Sequence, residues 1–446
     1  MKHNGMDADY TRALEKIEET LGETLPPVPD TSWCGRVFPG VNLPPAMVQP
    51  LLEPGRDLLG RGGKRWRPLL SLVVCRALGG GGAVLPLLPL VEFSHTASLI
   101  HDDLEDNSEE RRGRPAVHRL YGEDTAVNSG SFLYFLPLAV METWDARAEV
   151  RDRIWTCWAR HMRRLHLGQS MDITWHRDPA LIPSIADYML MCSLKTGCLA
   201  RFAALLGAET AWAARRAPAD PELLARLGEG AEKLGVGFQI LDDVKNLGPG
   251  VPGKQRGDDV VEGKKSLPVL LFLQGNRPDG PAAASGSSGT LSGPSGTLSG
   301  PSGTLSGSSG TLSGSSGTLS GSSGTLSGPS GTLSGSSGTL SGSSGTLSGS
   351  PGALSGSSGA LSGSSSGPLD DRIALTRRCF QAARKGGVSV PEVEEFIRAL
   401  TDAGVLAEAE ARGRALIAEA GDIFAELPAE DDEARRLLRG FTEVIR

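Results

Sequence analysis

Several features that mark common classes of protein are scarce or missing in this chain. Its 446 residues carry a formal net charge of −7, so it lacks the basic excess that most nucleic-acid-binding proteins show. Cysteine is scarce as well, and no Cys-x-x-Cys pair occurs. A scattered set fits reduced core thiols better than a disulfide framework or a zinc site. The cysteines are Cys34, Cys75, Cys157, Cys192, Cys198 and Cys379.

Segments that direct a protein into or across a membrane are also missing. The first nine residues are polar and lack the apolar stretch of a signal peptide. The apolar run 132–141 is too short to cross a bilayer, and we find no longer uninterrupted run. These observations predict a cytoplasmic protein that does not insert stably into membranes.

The alternation of Val, Ile and Thr that is typical of strands is nearly absent, and helical spacing takes its place. Leu14, Ile17 and Leu21, for example, recur at intervals of three and four. Such spacing predicts helices over 10–25, 46–59, 67–78, 85–104, 128–141, 151–175, 184–206, 223–247 and 266–273. It resumes after Pro368. We therefore predict an all-α fold.

Residues 285–367 repeat a unit of seven residues, Ser-Gly-Ser/Pro-Ser-Gly-Thr/Ala-Leu. Each unit has one apolar residue where a coiled coil needs two, and each Gly costs about 1 kcal/mol in a helix. We predict a flexible, disordered coil, with a Gly-rich solenoid or weak self-association as the alternative. The sequence thus divides into a helical domain over 1–278 and 369–446 and a low-complexity insertion over 279–368. Lengthening a loop tenfold costs only about 2 kcal/mol, so the insertion is tolerable.

A cluster of acidic residues follows the uncharged segment 97–100. Asp102 and Asp106 are four residues apart and so share one face of a helix, and Asp103 accompanies them. Acidic clusters are usually solvated helix faces. Carboxylates beside an apolar run, however, are costly to bury without a partner. Mg²⁺ suits this pattern, because hard cations take carboxylate and phosphate oxygens together.

A second carboxylate pair, Asp242 and Asp243, occurs much later in the chain. Together the two acidic segments predict a diphosphate that metal ions hold between two helices. Lys64 and Arg67 follow a pair of glycines and lie one helical turn apart, so they can grip one anion together. Taken alone, such a basic turn is more often solvated surface.

Other polar residues on the predicted helices carry weaker signals. His95 and His101 precede Asp102 on one helix, where an isolated histidine is more often a core group than a ligand. We retain the structural interpretation for His101. Gln169 and Asp172, on a later helix, either support the site or simply pack.

In combination these residues resemble the trans-type (E) isoprenyl diphosphate synthases of the polyprenyl synthetase family, from about residue 51 to 273 and more weakly after Pro368. The motifs are Gly63-Lys-Arg-Trp-Arg-Pro68, Asp102-Asp-x-x-Asp106 followed by Arg111-Arg-Gly-x-Pro115, Lys195-Thr196, Gln239-x-x-Asp242-Asp243, Gly253-Lys254 and Glu262-Gly-Lys264-x-Ser-Leu-Pro268. Asn246 and the segments 105–108 and 127–129 resemble the geranylgeranyl diphosphate synthases in particular.

The resemblance implies an antiparallel helical bundle around a central cavity, usually in a homodimer. It also implies a Mg²⁺-dependent prenyltransferase that condenses isopentenyl diphosphate with an allylic diphosphate. The catalytic set would be Asp102, Asp103, Asp106, Lys195, Asp242 and Asp243, of which Asp102, Asp106 and Asp242 would bind Mg²⁺. Isopentenyl diphosphate would be held by Lys64, Arg67, His95 and Arg112. The allylic diphosphate would be held by Arg111, Lys195, Thr196, Gln239, Lys254 and Lys264.

The chain departs from the family pattern at two places. Asn246 stands where many members have Asp, and a neutral ligand there would lower metal affinity. The insertion at 279–368 is the second departure. Ala97 and Ser98 occupy positions where bulky residues in the family block the floor of the cavity. Because both are small, the resemblance implies a product of C20 or longer.

Three other functions stay open. A class I terpene cyclase ionises one substrate and has no use for an isopentenyl diphosphate site, so Lys64, Arg67 and Arg112 count against it. A regulatory subunit of a heteromeric prenyl synthase would be expected to lose acidic motifs, and this chain keeps both. The repeat itself could act as a scaffold or a surface tether.

Overall fold

In the described residues outside the repeat, the regular structure is helical apart from one short hairpin. The computed structural model describes residues 3–248, 256–274, 368–429 and 432–445, together with ten short strands between 289 and 355. The helices are α1 (His3–Thr24), α2 (Thr31–Val37), α3 (Gln49–Gly60), α4 (Trp66–Ala77), α5 (Pro89–Glu105), α6 (Val117–Tyr121), α7 (Glu123–Phe135), α8 (Leu138–Thr143), α9 (Ala148–Arg177), α10 (Ile185–Cys192), α11 (Cys198–Arg215), α12 (Pro221–Leu247), α13 (Asp258–Glu262), α14 (Leu267–Gln274), α15 (Pro368–Gly386), α16 (Pro391–Asp402), α17 (Val405–Ala425) and α18 (Asp432–Ile445). Strands β1 (Glu110–Arg111) and β2 (Arg114–Pro115) form the hairpin. The predicted all-α class is confirmed.

The chain divides into two units, one of residues 1–275 with 369–446 and one of residues 276–368. The first unit holds the helices and the hairpin, and the second holds the strands of the repeat. From the sequence alone, the boundaries are placed at 279 and 368.

The helical unit has two clusters of buried apolar side chains. The larger one is centred on α4, whose residues are buried along its whole length, and includes Leu70, Phe93 and Phe202. The smaller one joins α10, α14 and α16 through residues such as Leu270 and Phe396. All six cysteines lie in the described part of the chain and none forms a disulfide. This agrees with the expected reduced thiols.

The predicted helix over 128–141 is two helices in the structure. Helix α7 ends at Phe135 and α8 begins at Leu138. Pro137 stands between them, and a proline removes a backbone donor and clashes with the preceding helical turn. Pro137 therefore accounts for the break, and a prediction based on the spacing of apolar residues does not consider prolines.

The predicted helix over 184–206 contains one turn of π-helix, Ser193–Gly197, between α10 and α11. This turn packs closely against two glycines. A Cβ atom at Gly235 would lie 2.7 Å from the Cα of Gly197, and one at Gly168 would overlap the backbone of Lys195. The two glycines therefore let α9 and α12 approach the π turn from either side.

The helical run Ile185–Arg215 is long and apolar enough to cross a membrane by length and composition. Its most apolar window has a mean hydropathy of 1.4, and 67% of that window is buried inside the helical unit. Lys195 and Arg201 interrupt its apolar residues, so it is not an uninterrupted run. Packing against α4, α9 and α12 accounts for its composition.

The described residues of the repeat include short parallel strands. The strands are β3 (Gly289–Ser292), β4 (Ser295–Ser299), β5 (Ser302–Ser306), β6 (Ser309–Ser313), β7 (Ser316–Ser320), β8 (Ser323–Ser327), β9 (Ser330–Ser334), β10 (Ser337–Ser341), β11 (Ser344–Ser348) and β12 (Leu354–Ser355). They form two five-stranded sheets, in which each strand pairs with the strand two units along the chain. Leu291 is thus in register with Leu305, and Leu298 with Leu312. Because the units are identical, a single strand register lets them satisfy each other's backbone hydrogen bonds. A prediction from the number of apolar residues does not include these hydrogen bonds. This is the arrangement of the Gly-rich solenoid alternative.

Candidate active site

A cavity of about 800 Å³ opens in the helical unit between α4, α5, α9, α12 and the π turn. Most of the residues singled out from the sequence line it. These are Lys64, Arg67, His95, Ser98, Asp102, Arg111, Arg112, Lys195, Thr196, Gln239, Asp242, Asp243 and Lys264. Asp103 is buried, the side chain of Asp106 is 2% exposed, and Ala97 belongs to the core. Lys254 lies outside the described residues.

Asp102 lies near the end of α5, where positive side chains surround it. Its Oδ1 is 3.0 Å from Lys195 Nζ and accepts a hydrogen bond of 2.9 Å from Gln169 Nε2. Its Oδ2 is 3.5 Å from Arg111 Nη2. Burial alone would raise the pKa of Asp102, but the charges of Lys195, Lys264 and Arg111 outweigh it and hold the pKa well below its usual range. The carboxylate is therefore ionised at neutral pH.

The other two carboxylates of this motif are each paired with a cation. Arg111 Nε donates to Asp103 Oδ1 at 2.7 Å. Asp106, the residue that caps α5, has Oδ2 2.9 Å from Lys264 Nζ and Oδ1 3.7 Å from His176 Nδ1. The residues predicted to hold the allylic diphosphate thus pair with those predicted to hold Mg²⁺.

A tight turn aims the two adjacent arginines in different directions. Arg112 and Gly113 have φ values of 55° and 72° between β1 and β2, which is the pattern of a type I′ hairpin turn. Arg111 points to α5, whereas Arg112 donates to the carbonyls of Gly62 and, at 3.3 Å, Leu58. Because of this turn the hairpin contributes one arginine to each of two clusters.

The second cluster consists of Lys64, Arg67, Arg112 and His95. The Arg67 guanidinium lies 4.3 Å from the ring centre of Trp66, and its Nη1 is 3.4 Å from His95 Nε2. Burial, with repulsion from Arg112, lowers the pKa of Arg67 to about 10. Burial, Arg67 and Arg112 likewise hold the pKa of His95 well below its usual value. Cations that destabilise one another in this way favour a bound anion.

The second acidic motif on α12 is divided among three different surroundings. Asp242 lines the cavity. Asp243 accepts a hydrogen bond of 2.7 Å from Tyr188 Oη and one of 2.8 Å from Gln239 Nε2. Burial, followed by repulsion from Asp259, raises the pKa of Asp243 to about 7 against those two hydrogen bonds. Asp243 thus has neutral donors where Asp102 has cations.

Asn246, the third position, is buried and does not line the cavity. Its Oδ1 accepts a hydrogen bond of 3.3 Å from the backbone N–H of Asp259 at the start of α13. Its backbone carbonyl accepts the N–H of Gly257 at 3.0 Å. Asn246 thus joins α12 to α13, and the lower metal affinity expected at this position stays a prediction.

The wall beyond Asp102 is largely aromatic. The rings of His101 and Tyr134 stack at 5.7 Å, and those of Tyr134 and His166 lie 5.4 Å apart. Ser98 lines this wall, but Ala97 faces the core, since consecutive residues of a helix point about 100° apart. Only Ser98 of the predicted floor pair therefore reaches the cavity in the described structure. His101 also lines this wall, where its ring packs against Tyr134, and its structural interpretation stays a prediction.

The Polyprenyl synthetase family model matches residues 48–284. The chain belongs to the polyprenyl synthetase family. The geranylfarnesyl diphosphate synthase of Aeropyrum pernix is 37% identical over 229 residues, which cover 49% of this chain and 68% of the relative. The geranylgeranyl pyrophosphate synthase of Eremothecium gossypii is 35% identical over 237 residues, which cover 52% and 72%.

Solved structures agree with this assignment at the level of the fold. The geranylgeranyl pyrophosphate synthetase from Pyrococcus horikoshii has a TM-score of 0.65 and 21% sequence identity, and the match covers 100% of this chain and 99% of that one. As a member of the polyprenyl synthetase family, the protein is a transferase of the prenyltransferase class.

The structure adds residues to this polyprenyl synthetase site. The motifs in the sequence either do not include these residues or do not determine their role. Gln169 also donates to Glu105 at 2.8 Å, and Asp172 Oδ2 lies 2.6 Å from Lys195 Nζ, so both support the first motif. Arg65, inside the basic turn, pairs with Glu92 at 2.8 Å instead of facing a ligand. Tyr188 lies two helical turns before Lys195, a spacing that could have pointed to it.

A Mg²⁺ ion fits the donors of this family member only together with a ligand. Within residues 3–248, 256–274 and the helices after 368, no three His, Cys, Asp or Glu side chains form a group that could hold a metal. Asp102, Asp106 and Asp242 are hard oxygen donors, and Asp106 Oδ1 accepts no hydrogen bond from the described residues. Mg²⁺ commonly takes one or two carboxylates, water and substrate phosphate oxygens. The donor set therefore fits Mg²⁺ that a diphosphate helps to hold.

Proposed function

We propose that the chain is a Mg²⁺-dependent synthase that joins isopentenyl diphosphate to an allylic diphosphate and releases an all-E polyprenyl diphosphate of C20 or longer. The observation that carries this proposal is the presence of two cation clusters on one cavity. One contains Arg111, Lys195 and Lys264 beside the acidic residues, and the other contains Lys64, Arg67 and Arg112. A condensation has two diphosphates to bind, whereas a cyclase has one.

The first cluster holds the allylic diphosphate in this proposal. Lys195 and Lys264 exchange part of their pairing with Asp102 and Asp106 for phosphate oxygens, which frees carboxylate oxygens for metal. Bound Mg²⁺ would neutralise the charge that develops on the departing diphosphate. Thr196 and Gln239 supply neutral hydrogen bonds to the same group.

The second cluster holds isopentenyl diphosphate and directs its double bond to the allylic carbon. Arg67, stacked on Trp66, offers a planar fork of donors, and Lys64 adds a compact charge. When the allylic C–O bond breaks, a carbocation forms, which water would trap. Apolar side chains such as Leu99, Met162 and Leu165 line the cavity and exclude water from it.

A product of C20 or longer is supported by the small side chain of Ser98 on the cavity wall. Tyr134, which stacks on His101 and lies at a tilt beside His166, would then limit the growing chain. The relatives in Aeropyrum pernix and Eremothecium gossypii are named for geranylfarnesyl and geranylgeranyl diphosphates.

We also propose that the protein is a cytoplasmic homodimer. Exposed apolar side chains on α7 and α9, namely Val127, Phe135, Trp155 and Leu167, would be removed from water in a dimer. Size-exclusion chromatography with light scattering of the purified protein tests this, and a monomeric mass at micromolar concentration would contradict it.

Product analysis tests the reaction. The protein is incubated with Mg²⁺, labelled isopentenyl diphosphate and dimethylallyl, geranyl or farnesyl diphosphate, and the dephosphorylated alcohols are separated by length. We expect alcohols of C20 or longer, and none when EDTA is present. If no primer is elongated, the synthase proposal fails and a cyclase or regulatory subunit takes its place.

A further inference from the structure

Three hydrogen bonds connect a buried tyrosine to the candidate allylic diphosphate site. Tyr188 Oη donates to Asp243 Oδ2 at 2.7 Å, and Gln239 Nε2 donates to Asp243 Oδ1 at 2.8 Å. Thr196 Oγ1 donates to Gln239 Oε1 at 2.9 Å. The chain of bonds thus runs Tyr188, Asp243, Gln239, Thr196, and all four members line the wall of the cavity.

Each bond in this chain fixes the direction of the next one. Because the Gln239 amide gives its N–H to a carboxylate, its oxygen faces the other way and accepts from Thr196. The orientation of Gln239 therefore depends on where the Asp243 carboxylate lies. Tyr188 is 1% exposed and belongs to the smaller apolar cluster, so its ring cannot follow a moving carboxylate.

The members lie on three elements of the helical unit. Tyr188 is on α10, Thr196 is on the π turn, and Gln239 and Asp243 are one turn apart on α12. Lys195 is the neighbour of Thr196 and pairs with Asp102 at 3.0 Å. An anchor at Asp243 therefore fixes the π turn that presents both Lys195 and Thr196.

We infer that Tyr188 is a positioning residue for the allylic diphosphate, which acts through Asp243 on Gln239 and Thr196. Asp243 is accordingly the centre of this chain. The inference rests on the proposed function, since it assigns a substrate to the end of the chain. Lys64, Arg67 and Arg112 make no hydrogen bond with members of this chain. We therefore expect the binding of isopentenyl diphosphate to be independent of it.

The variant Tyr188→Phe tests this inference, because it removes the hydroxyl and keeps the ring that fills the core. Tyr121→Phe is the matched control, since Tyr121 lies on α6 away from the cavity. We expect Tyr188→Phe to lower kcat/KM for the allylic diphosphate about tenfold, as loss of one hydrogen bond to a carboxylate does. KM for isopentenyl diphosphate should stay within about twofold of the wild-type value. Tyr121→Phe should leave both this KM and the allylic kcat/KM within about twofold of the wild type.

Equilibrium binding separates this inference from the proposed function. The probe is farnesyl thiodiphosphate, an allylic analogue with sulfur at the bridging position, titrated with Mg²⁺ in a calorimeter. Failure of the wild-type protein to bind it contradicts the proposed function. Tight binding by the wild type and equal binding by Tyr188→Phe overturns the inference alone.

A double-mutant cycle with Gln239→Leu distinguishes positioning from a general structural effect. If Tyr188 acts through Gln239, Tyr188→Phe should have less than a twofold effect on analogue binding once Gln239 is gone, by the logic of coupled residues. Equal tenfold effects with and without Gln239 would overturn the inference. Circular dichroism and the Tm of each variant check that the fold is retained, and a Tyr188→Phe variant that loses Tm but keeps allylic kcat/KM would assign the hydroxyl to stability only.

Discussion

The two acidic motifs look alike in sequence, yet the structure surrounds them with different chemistry. Asp102 and Asp106 face Lys195, Arg111 and Lys264, all of them charged. Asp243 faces the neutral donors of Tyr188 and Gln239. As a result the pKa of Asp102 lies well below its usual range, whereas that of Asp243 is raised to about 7.

The difference suggests a division of labour between the motifs. At the first motif, cations that would bind a diphosphate are paired with carboxylates that would bind metal, so each group compensates the other before any ligand arrives. Metal and diphosphate must then enter together, because either one alone would leave a buried charge without its partner. At the second motif, Asp242 and Asp243 both line the cavity, and Asp243 and Asn246 also join α12 to neighbouring helices.

The largest effect that separates the motifs should be catalytic. Asp102→Asn removes a carboxylate that lines the cavity and leaves Lys195 with less compensation, so we expect kcat/KM to fall about 10³-fold. Asp243→Asn keeps an oxygen that can accept a hydrogen bond from Tyr188 or Gln239, so we expect kcat/KM to fall only about tenfold. Steady-state assays with both substrates measure the two values. A fall of equal size in both variants would show that the motifs are equivalent.

The motifs should also give opposite pH dependence of stability in the ligand-free protein. The folded pKa of Asp243 is about 7 and its unfolded pKa is 3.8, so its contribution is fully present below pH 3.8 and is lost as pH rises through 7. The loss is on the order of 4 kcal/mol. Asp102 has a lowered folded pKa, so its contribution is present above pH 3.8 and is lost only in acid.

Urea unfolding between pH 4 and 8 measures this contrast. Asp243→Asn cannot ionise and should therefore lose less stability than the wild type between pH 4 and 7. Asp102→Asn should leave the decline over that interval in place. If Asp243→Asn leaves the pH profile unchanged, another group is responsible for the decline.

A smaller effect is expected at the last position of the second motif. Asn246→Asp can still accept the Asp259 N–H, but it adds charge beside Asp243 and Asp259, which costs about 1 to 2 kcal/mol of stability. The Mg²⁺ concentration for half-maximal rate should change less than about twofold, since position 246 does not reach the cavity. A Mg²⁺ titration of the rate measures this change. A tenfold gain in apparent affinity would make position 246 a metal ligand after all.

The smallest effect should come from the repeat. Replacing residues 285–367 by a short Gly/Ser linker leaves both motifs intact, and we expect turnover within about twofold of the wild type because loops add little to a packed core. The same product assay measures it. Loss of soluble yield or of activity would mean that the repeat supports the catalytic unit.

Sequence patterns predicted the elements whose causes are local. Apolar spacing placed α4, α9 and α12 within a few residues, and the resemblance predicted most of the residues that line the cavity. Three features depended on partners in other elements. The pairing of Asp103 with Arg111 depends on the hairpin turn, the position of Asn246 depends on α13, and the role of Tyr188 depends on α12.

The strand register in the repeat is a second feature that sequence patterns do not indicate. One Leu in each unit is too little apolar surface to predict packing. Parallel pairing between identical units depends instead on backbone hydrogen bonds, which are the same whatever the side chain. The strand register of Leu291 with Leu305 therefore has no signal in hydropathy.

The π turn at Ser193–Gly197 has a consequence for the gene as well as for the fold. A π turn holds one residue more than an α-helical turn, so it acts as a single inserted residue in a continuous helix. Deleting one codon there would rotate α10 relative to α11 by about 100° and separate Tyr188 from Asp243 or Lys195 from Asp102. Reading frame, helix length and composition would hardly change. We therefore expect this chain, which accommodates a long insertion at 279–368, to lose its activity when one residue is removed from 193–197.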